Sequence, residues 1–323
     1  MRSLFLALCV VWIFGRSSNA DFRFERVEGG INVFYQDQPI AEYRYRNPEI
    51  PRSYFSNVHA LDGTRLTRTF PPISGKDALD HDSLHPGIWL AFGDLNGVDF
   101  WRNKAKVEHI RFASEPIVSN GRLQFAVEER YIDKDGIEIC RAASEFAFEA
   151  PTTLQKKAVV LRWTTQIKSD TEKLVFGNQH EMGLGFRMAT PLTVKGGSGS
   201  ILGSHGGKNE KGNWGKVARW WDYSGTTEDR IAGILAIVGP TSSRPVWVHA
   251  RDYGFLALNP TGVPDKTDDS LPSHSFEVAK GATLTLAYTL VLHASLKSET
   301  WNPNECVSLL TQADANAPSR SNK

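Results

Sequence analysis

The sequence predicts an all-β protein, a large antiparallel β-sandwich in one domain that carries a short C-terminal helix. Three observations predict it. Two-residue alternation of apolar and polar side chains recurs along the chain, whereas helix-period patterns are scarce. The apolar runs are short and bounded by Gly, Pro, Asn and Asp. Strands do not alternate regularly with helices, which argues against a parallel βαβ sheet.

Taken in order, the chain opens on Met1-Arg2-Ser3, an apolar run over residues 4–14 and the small-residue ending Ser18-Asn19-Ala20. A charged start, a short apolar core and small residues before the cut predict a signal peptide over 1–20 and a secreted or periplasmic protein. The run is shorter than the roughly 20 apolar residues that cross a bilayer, and no membrane span is expected after its removal. Cleavage deletes Arg2 and Arg16 and no acid, which turns the formal charge of +1 into −1. So neutral a chain is not expected to take nucleic acid or an anionic membrane as its main partner. Cys9 leaves with the signal, so Cys140 and Cys306 either pair or stay as buried thiols.

The first chemistry-bearing stretch is Asp80-His81-Asp82-Ser83-Leu84-His85-Pro86-Gly87. Two histidines four apart share one side of a helical turn, as metal ligands or a proton-transfer pair do. Pro86-Gly87 ends such a turn at once, so the pair enters the strand over 88–92 from a loop. Flanking Asp80 and Asp82 supply carboxylates of the kind that orient a working histidine. The competing reading is a polar loop that bonds its own backbone. Asp94-Leu95-Asn96-Gly97 is turn chemistry, with Asn-Gly supplying positive φ. Leu123, Phe125, Val127 and Tyr131 then mark a half-buried strand, and residues 158–164 another.

In His180-Glu181-Met182-Gly183-Leu184-Gly185-Phe186-Arg187, strand alternation puts Glu181, Gly183, Gly185 and Arg187 on one face. The glycines are expected to clear a flat floor between carboxylate and guanidinium; a bulged strand with a surface ion pair is the alternative. Residues 195–216 carry eight glycines and Trp214, and are expected to form a mobile lid. Trp221 and Tyr223 share a strand face, as do Trp247, His249, Arg251 and Tyr253 after the strand over 231–238. Aromatic faces and Arg forks on inner strand faces suit a concave site. Residues 261–274, rich in Pro, Asp and Ser, are expected to be plain surface. Leu284, Leu286, Tyr288, Leu290 and Leu292 alternate with threonines in the clearest strand of all. A helix is expected around 305–312, ending the domain 21–312, and residues 313–323 are expected to form a disordered tail. No Walker loop, Rossmann glycine pattern, His-Glu-x-x-His or Gly-x-Ser-x-Gly is present, so nucleotide binding and serine hydrolysis are poorly supported.

Tyr54-Phe55, residues 59–68, Asp80-His81 through His85-Pro86-Gly87, residues 93–101, residues 221–225 and 249–254, with Asn259-Pro260, resemble in this order the PmoA family. Its bacterial members carry the name "methane oxygenase PmoA". Where that family often has His-His-Arg-Gly, this chain has Leu84-His85-Pro86-Gly87. Methane oxidation is not expected, because the subunit of that name is an integral membrane protein and this mature chain has no span. The resemblance implies a secreted bacterial protein of polysaccharide or sugar-derivative breakdown, and fold analogy implies a mutarotase-like supersandwich.

The leading expectation is therefore an exported enzyme that acts on a carbohydrate or sugar acid by acid–base chemistry, as a lyase, epimerase or hydrolase. His81, His85 or His249 moves a proton, Glu181 opposes it, Arg187 or Arg251 holds an anionic or hydroxyl-rich group, and Trp221 and Tyr223 form the wall. Hydrolysis needs a second carboxylate, with Asp80, Asp82, Asp222 and Asp252 as candidates. Two rival readings are a non-catalytic sugar-binding module and a metal site on His81 and His85, completed by His249 or Glu181, holding zinc or copper. The expected partner is a small molecule or an oligosaccharide.

Overall fold

Two eight-stranded antiparallel sheets stack face to face in the computed structural model, which describes residues 22–155, 157–240, 242, 244–262 and 275–316. The first sheet runs β1 (Phe22–Val27), β2 (Gly30–Tyr35), β3 (Gln38–Arg44), β4 (Tyr54–Ser56) and β5 (Ile88–Phe92) in sequence order. It continues through β11 (Met182–Arg187), β16 (Phe255–Asn259) and β15 (Trp247–Arg251). The second follows the order β12 (Ser200–Gly203), β13 (Trp220–Thr226), β14 (Arg230–Val238) and β18 (Thr283–Leu296). It ends with β9 (Ala158–Lys168), β8 (Glu138–Glu149), β7 (Arg122–Ile132) and β6 (Lys106–Ser119). A small pair, β10 (Leu174–Phe176) with β17 (Phe276–Val278), stands apart.

The main core fills the space between the sheets, where inward residues of both interdigitate. In β7, Leu123, Phe125, Val127 and Tyr131 point into it, with half-buried residues between them. Glu129 also points inward, and burial, only partly offset by a Ser53 hydrogen bond, raises its pKa to about 7. In β18 the alternating run from Leu284 to Leu292 lines the same core. Asn96 and Gly97 take φ of 52° and 78°, the left-handed pair that the Asn-Gly turn requires, and Leu95 bridges Val98.

Both outer faces are covered as well. On the second sheet the helix α2 (Pro303–Asn316) lays Cys306 and Leu310 against Trp220, Leu235 and Val291. Asn302 caps it by accepting from the Asn304 N–H at 3.0 Å, and Pro303 opens its first turn. The helix thus continues past residue 312, so residues 313–316 are helical rather than tail. Cys140 lies in the main core and Cys306 under the helix, on opposite faces of one sheet, and both are free thiols. On the first sheet's outer face Ile50, Tyr54, Trp89, Ala91, Trp101, Phe255 and Ala257 form a smaller aromatic cluster.

The expected lid over 195–216 is instead built structure. It contains β12 and a short helix α1 (Asn209–Asn213), locked by the buried Asn213 amide, which donates to the carbonyls of Ile201, Gly207 and Asn209. The signal peptide over 1–20 lies outside the described residues, as do 263–274 of the second expected loop and 317–323 of the tail. No described helix is long and apolar enough to cross a membrane.

Candidate active site

The outer face of the first sheet gathers most of the chemistry. It begins with Arg68, whose guanidinium is 1% exposed and donates to the carbonyls of Ala78, Asp80, His81 and His85. One cation thereby wraps the loop 78–85 around itself. The His85 N–H donates to the His81 carbonyl at 2.9 Å, closing a single turn. The two imidazoles stack with centroids 5.0 Å apart and planes 15° from parallel. The shared side expected from their spacing is therefore real.

Arg187 rises from β11 beside them. Its Nη2 donates to Asp80 Oδ1 at 2.8 Å, and its guanidinium carbon lies 4.5 Å from the Tyr253 ring centroid. Asp80 Oδ2 lies 2.9 Å from His81 Nδ1. Burial alone would raise the Asp80 pKa, but the His81 hydrogen bond and the Arg187 and Arg68 charges outweigh it and hold it below the ordinary value. An ionised Asp80 only accepts, so His81 donates from Nδ1 and turns its Nε2 lone pair away from the carboxylate.

Below this pair, His85 is 3% exposed and packed face to face with Phe255 (4.7 Å) and Trp89 (5.0 Å). Burial first, then Arg187, His81 and two further guanidiniums, push its pKa well below 6.5, so it is neutral at neutral pH. His249 packs perpendicular to Phe255 at 5.2 Å, and Trp214 and His180 close around it at 6.1 and 6.0 Å. The Tyr253 hydroxyl sits in the combined field of Arg187, Arg251, Glu181 and Asp80, its pKa raised by burial. Glu181 is ion-paired with Arg102, and Arg251 with Glu210.

His81, His85, Arg187 and Asp80 thus form one chain of contacts, His249 joins them through Phe255, and Arg251 and Glu181 act on Tyr253 through their charges. Trp221 and Tyr223 do not belong. Both are fully buried in the main core on the inner face of β13, and the Tyr223 hydroxyl donates to the backbone carbonyls of Asp252 and Arg251. Their shared strand face was legible, but which side of the sheet it meets was not. Asp222 lies on the opposite face of that strand, and Asp252 accepts from the Glu210 N–H. The glycine floor is also corrected. A Cβ on Gly185 would lie 2.8 Å from both the Trp89 and Trp101 rings, so the glycine makes room for indoles of the protein itself. As to metal, the His81 and His85 rings are stacked, so their in-plane lone pairs run side by side rather than converging. Among the described residues no group of three or more His, Cys, Asp or Glu is placed to hold an ion.

Arg52, Arg68, Trp89 and Phe255 were not anticipated. Trp89 and Ala91 alternate with Ile88, Leu90 and Phe92, but β5 is buried on both faces, which erases the polar–apolar signal.

The shift of His85 has a sign that experiment can read. The folded protein binds the His85 proton less readily than the unfolded chain, so stability is full above about pH 6.5 and is lost as pH falls below it. Urea midpoints measured from pH 7.5 to pH 5 are expected to fall more steeply for the wild type than for His85→Phe, which keeps the stack. His59, His109 and Glu129 titrate alike in both proteins and drop out of the comparison. Parallel curves would show that His85 accepts a proton in place.

A family model described as "Family of unknown function (DUF6807)" matches residues 30–302, without a match to the PmoA family. The resemblance drawn from the order of motifs is corrected accordingly; short pieces such as Asp94-Leu95-Asn96-Gly97 encode a hairpin in any β protein. No curated protein matches the chain. Among solved structures it is similar to a galactose mutarotase-like protein from Lactobacillus casei ATCC 334, with 10% identity, 84% of this chain and 100% of that chain covered, and a TM-score of 0.37. A galactose mutarotase related enzyme from Lactobacillus acidophilus gives 11% identity, 87% and 100% coverage and a TM-score of 0.32. A GalM/aldose epimerase homologue from C. elegans gives 11%, 85% and 99%, and 0.30.

Proposed function

Because the chain belongs to DUF6807, a family of unknown function, its activity is read from its own side chains, and we propose that the outer face of the first sheet is the active site of an enzyme that moves protons on a carbohydrate. One observation carries this reading: two almost fully buried guanidiniums, Arg68 and Arg187, pin Asp80, and Asp80 orients the half-exposed His81. A carboxylate that fixes the tautomer of an accessible imidazole is the arrangement of a general base.

The rest of the face supplies what such a base needs. Tyr253 and Trp214 offer aromatic faces on which a sugar ring stacks. The ion pairs Glu181–Arg102 and Arg251–Glu210 supply acceptors and donors for hydroxyl groups near Tyr253. His81 takes a proton from substrate at Nε2 while Asp80 steadies the imidazolium that forms, and returns it to the other position. Neutral His85 below gives the stack a polar but uncharged floor. Epimerisation or a related isomerisation fits better than glycoside hydrolysis, because Asp80 is held ionised and Glu181 is ion-paired with Arg102, whereas hydrolysis needs a protonated carboxyl as general acid. The signal-like start of the sequence supports a site of action outside the cytoplasm.

Proton NMR in D2O of the full chain with glucose, galactose, mannose and glucuronate tests the proposal. Faster anomeric exchange or deuterium incorporation is the expected result for at least one sugar. Binding with no catalysed exchange would favour the non-catalytic module instead, and neither binding nor exchange would remove the reading.

A further inference from the structure

A concavity of about 670 Å³ lies at the edge of the sandwich, between the β1–β2 turn, the β3–β4 loop and β6, and shares Ile50 and Arg52 with the surroundings of His85. We propose that it is a second, non-catalytic binding site for a saccharide unit. Its volume falls in the range of small-molecule sites, roughly 300–1,000 Å³.

The walls are built rather than accidental. Asn47 Oδ1 accepts from the Glu49 and Ile50 N–H groups, and its amide donates to the Tyr54 hydroxyl at 2.9 Å. The Val107 N–H donates to the Pro51 carbonyl at 2.8 Å, tying the loop to β6. On β6 the pairing with β7 shifts between His109 and Arg111, a bulge of the kind that re-aims a side chain. His109 is 7% exposed, packs against Tyr45 with ring centroids 4.2 Å apart and planes tilted by 35°, and its buried Nδ1 has no hydrogen-bond partner among the described residues.

The lining chemistry selects the ligand. Burial, with Arg46 nearby, lowers the His109 pKa to about 4, so the ring is neutral; with Nδ1 enclosed, Nε2 is the ring nitrogen left to exchange a hydrogen bond with a hydroxyl. At the mouth, Glu28 and Arg46 line the same space, and neither makes an ion pair among the described residues. The Glu28 carboxylate, and the Arg46 guanidinium whose carbon lies 5.9 Å from the Tyr45 ring centroid, present an acceptor and donors that suit neighbouring hydroxyls on a sugar ring.

Isothermal titration and NMR of the full chain with glucose, galactose and cellobiose, and with acetate and inorganic phosphate as anion controls, provide the test. At least one sugar is expected to bind, roughly tenfold or more weakly to Tyr45→Ala. Arg46→Ala, an exposed change that leaves the fold alone, is expected to weaken the same event, and His81→Asn to leave it intact. Sugar binding indifferent to both Tyr45→Ala and Arg46→Ala, sugar binding lost only in His81→Asn, or no sugar binding at all would overturn the proposal. Tyr45-dependent binding of acetate or phosphate without sugar would overturn the ligand class.

Discussion

His81→Asn is expected to lower kcat/KM for the responding sugar by roughly 10²–10⁴-fold, the usual worth of a positioned acid–base group. Asparagine is the clean replacement here. His81 adopts φ of 50°, a left-handed conformation that Asn tolerates and Ala does not. Its side chain is 48% exposed, so little packing is lost. The circular dichroism spectrum and the melting temperature should therefore stay close to wild type while turnover collapses. Asp80→Asn should act in the same direction through His81, by removing the acceptor that holds its tautomer, and should shift the pH profile as well as the rate. Activity within a few-fold of wild type in His81→Asn would mean that another group moves the proton, and the Asp80–His81 assignment would fall.

The largest stability effect is expected far from that site. Asp222, on the outer face of β13, accepts from Ser224 Oγ at 2.7 Å and from His293 Nε2 at 3.0 Å. His293 is fully buried and stacks on Trp301 at 3.7 Å, with planes 8° apart, under the start of α2. Asp222→Ala leaves a buried imidazole and a buried hydroxyl without their acceptor, which costs about 2–5 kcal/mol. The urea midpoint should fall with an unchanged slope. Asp222→Asn, which keeps an acceptor oxygen, should cost less, and adding His293→Phe to Asp222→Ala should recover part of the loss, as coupled neighbours do. A loss under about 1 kcal/mol in Asp222→Ala would show that water takes the place of the carboxylate.

Much of this architecture can be read before folding is considered. The run from Leu284 to Leu292 announces its strand because one face meets the core and the other does not. His81 and His85 announce a shared side because four residues make one turn. Arg187 and Arg251 were legible as sharing a strand face with Glu181 and His249, respectively, for the same reason of period. Trp221 and Tyr223 were legible as partners on one face, but a strand in a sandwich has a face toward the core and a face away, and period two does not say which is which. Trp89 and Phe255 gave no signal because their strands are buried on both sides. Residues 195–216 read as a loop by glycine content, yet the Asn213 amide and the pairing of β12 with β13 order them through contacts distant in sequence.

Local periodicity and turn chemistry, set by backbone geometry, determined the all-β class, the antiparallel strands, the C-terminal helix and the pairing of His81 with His85. Only the tertiary structure decided that Arg68 and Arg187, 119 residues apart in the sequence, clamp one carboxylate. It also decided that the indoles of Trp89 and Trp101 fill the space a glycine leaves. The reason is that a buried charge is stable only where partners converge on it, and such convergence is a property of how the sheets stack rather than of any single strand.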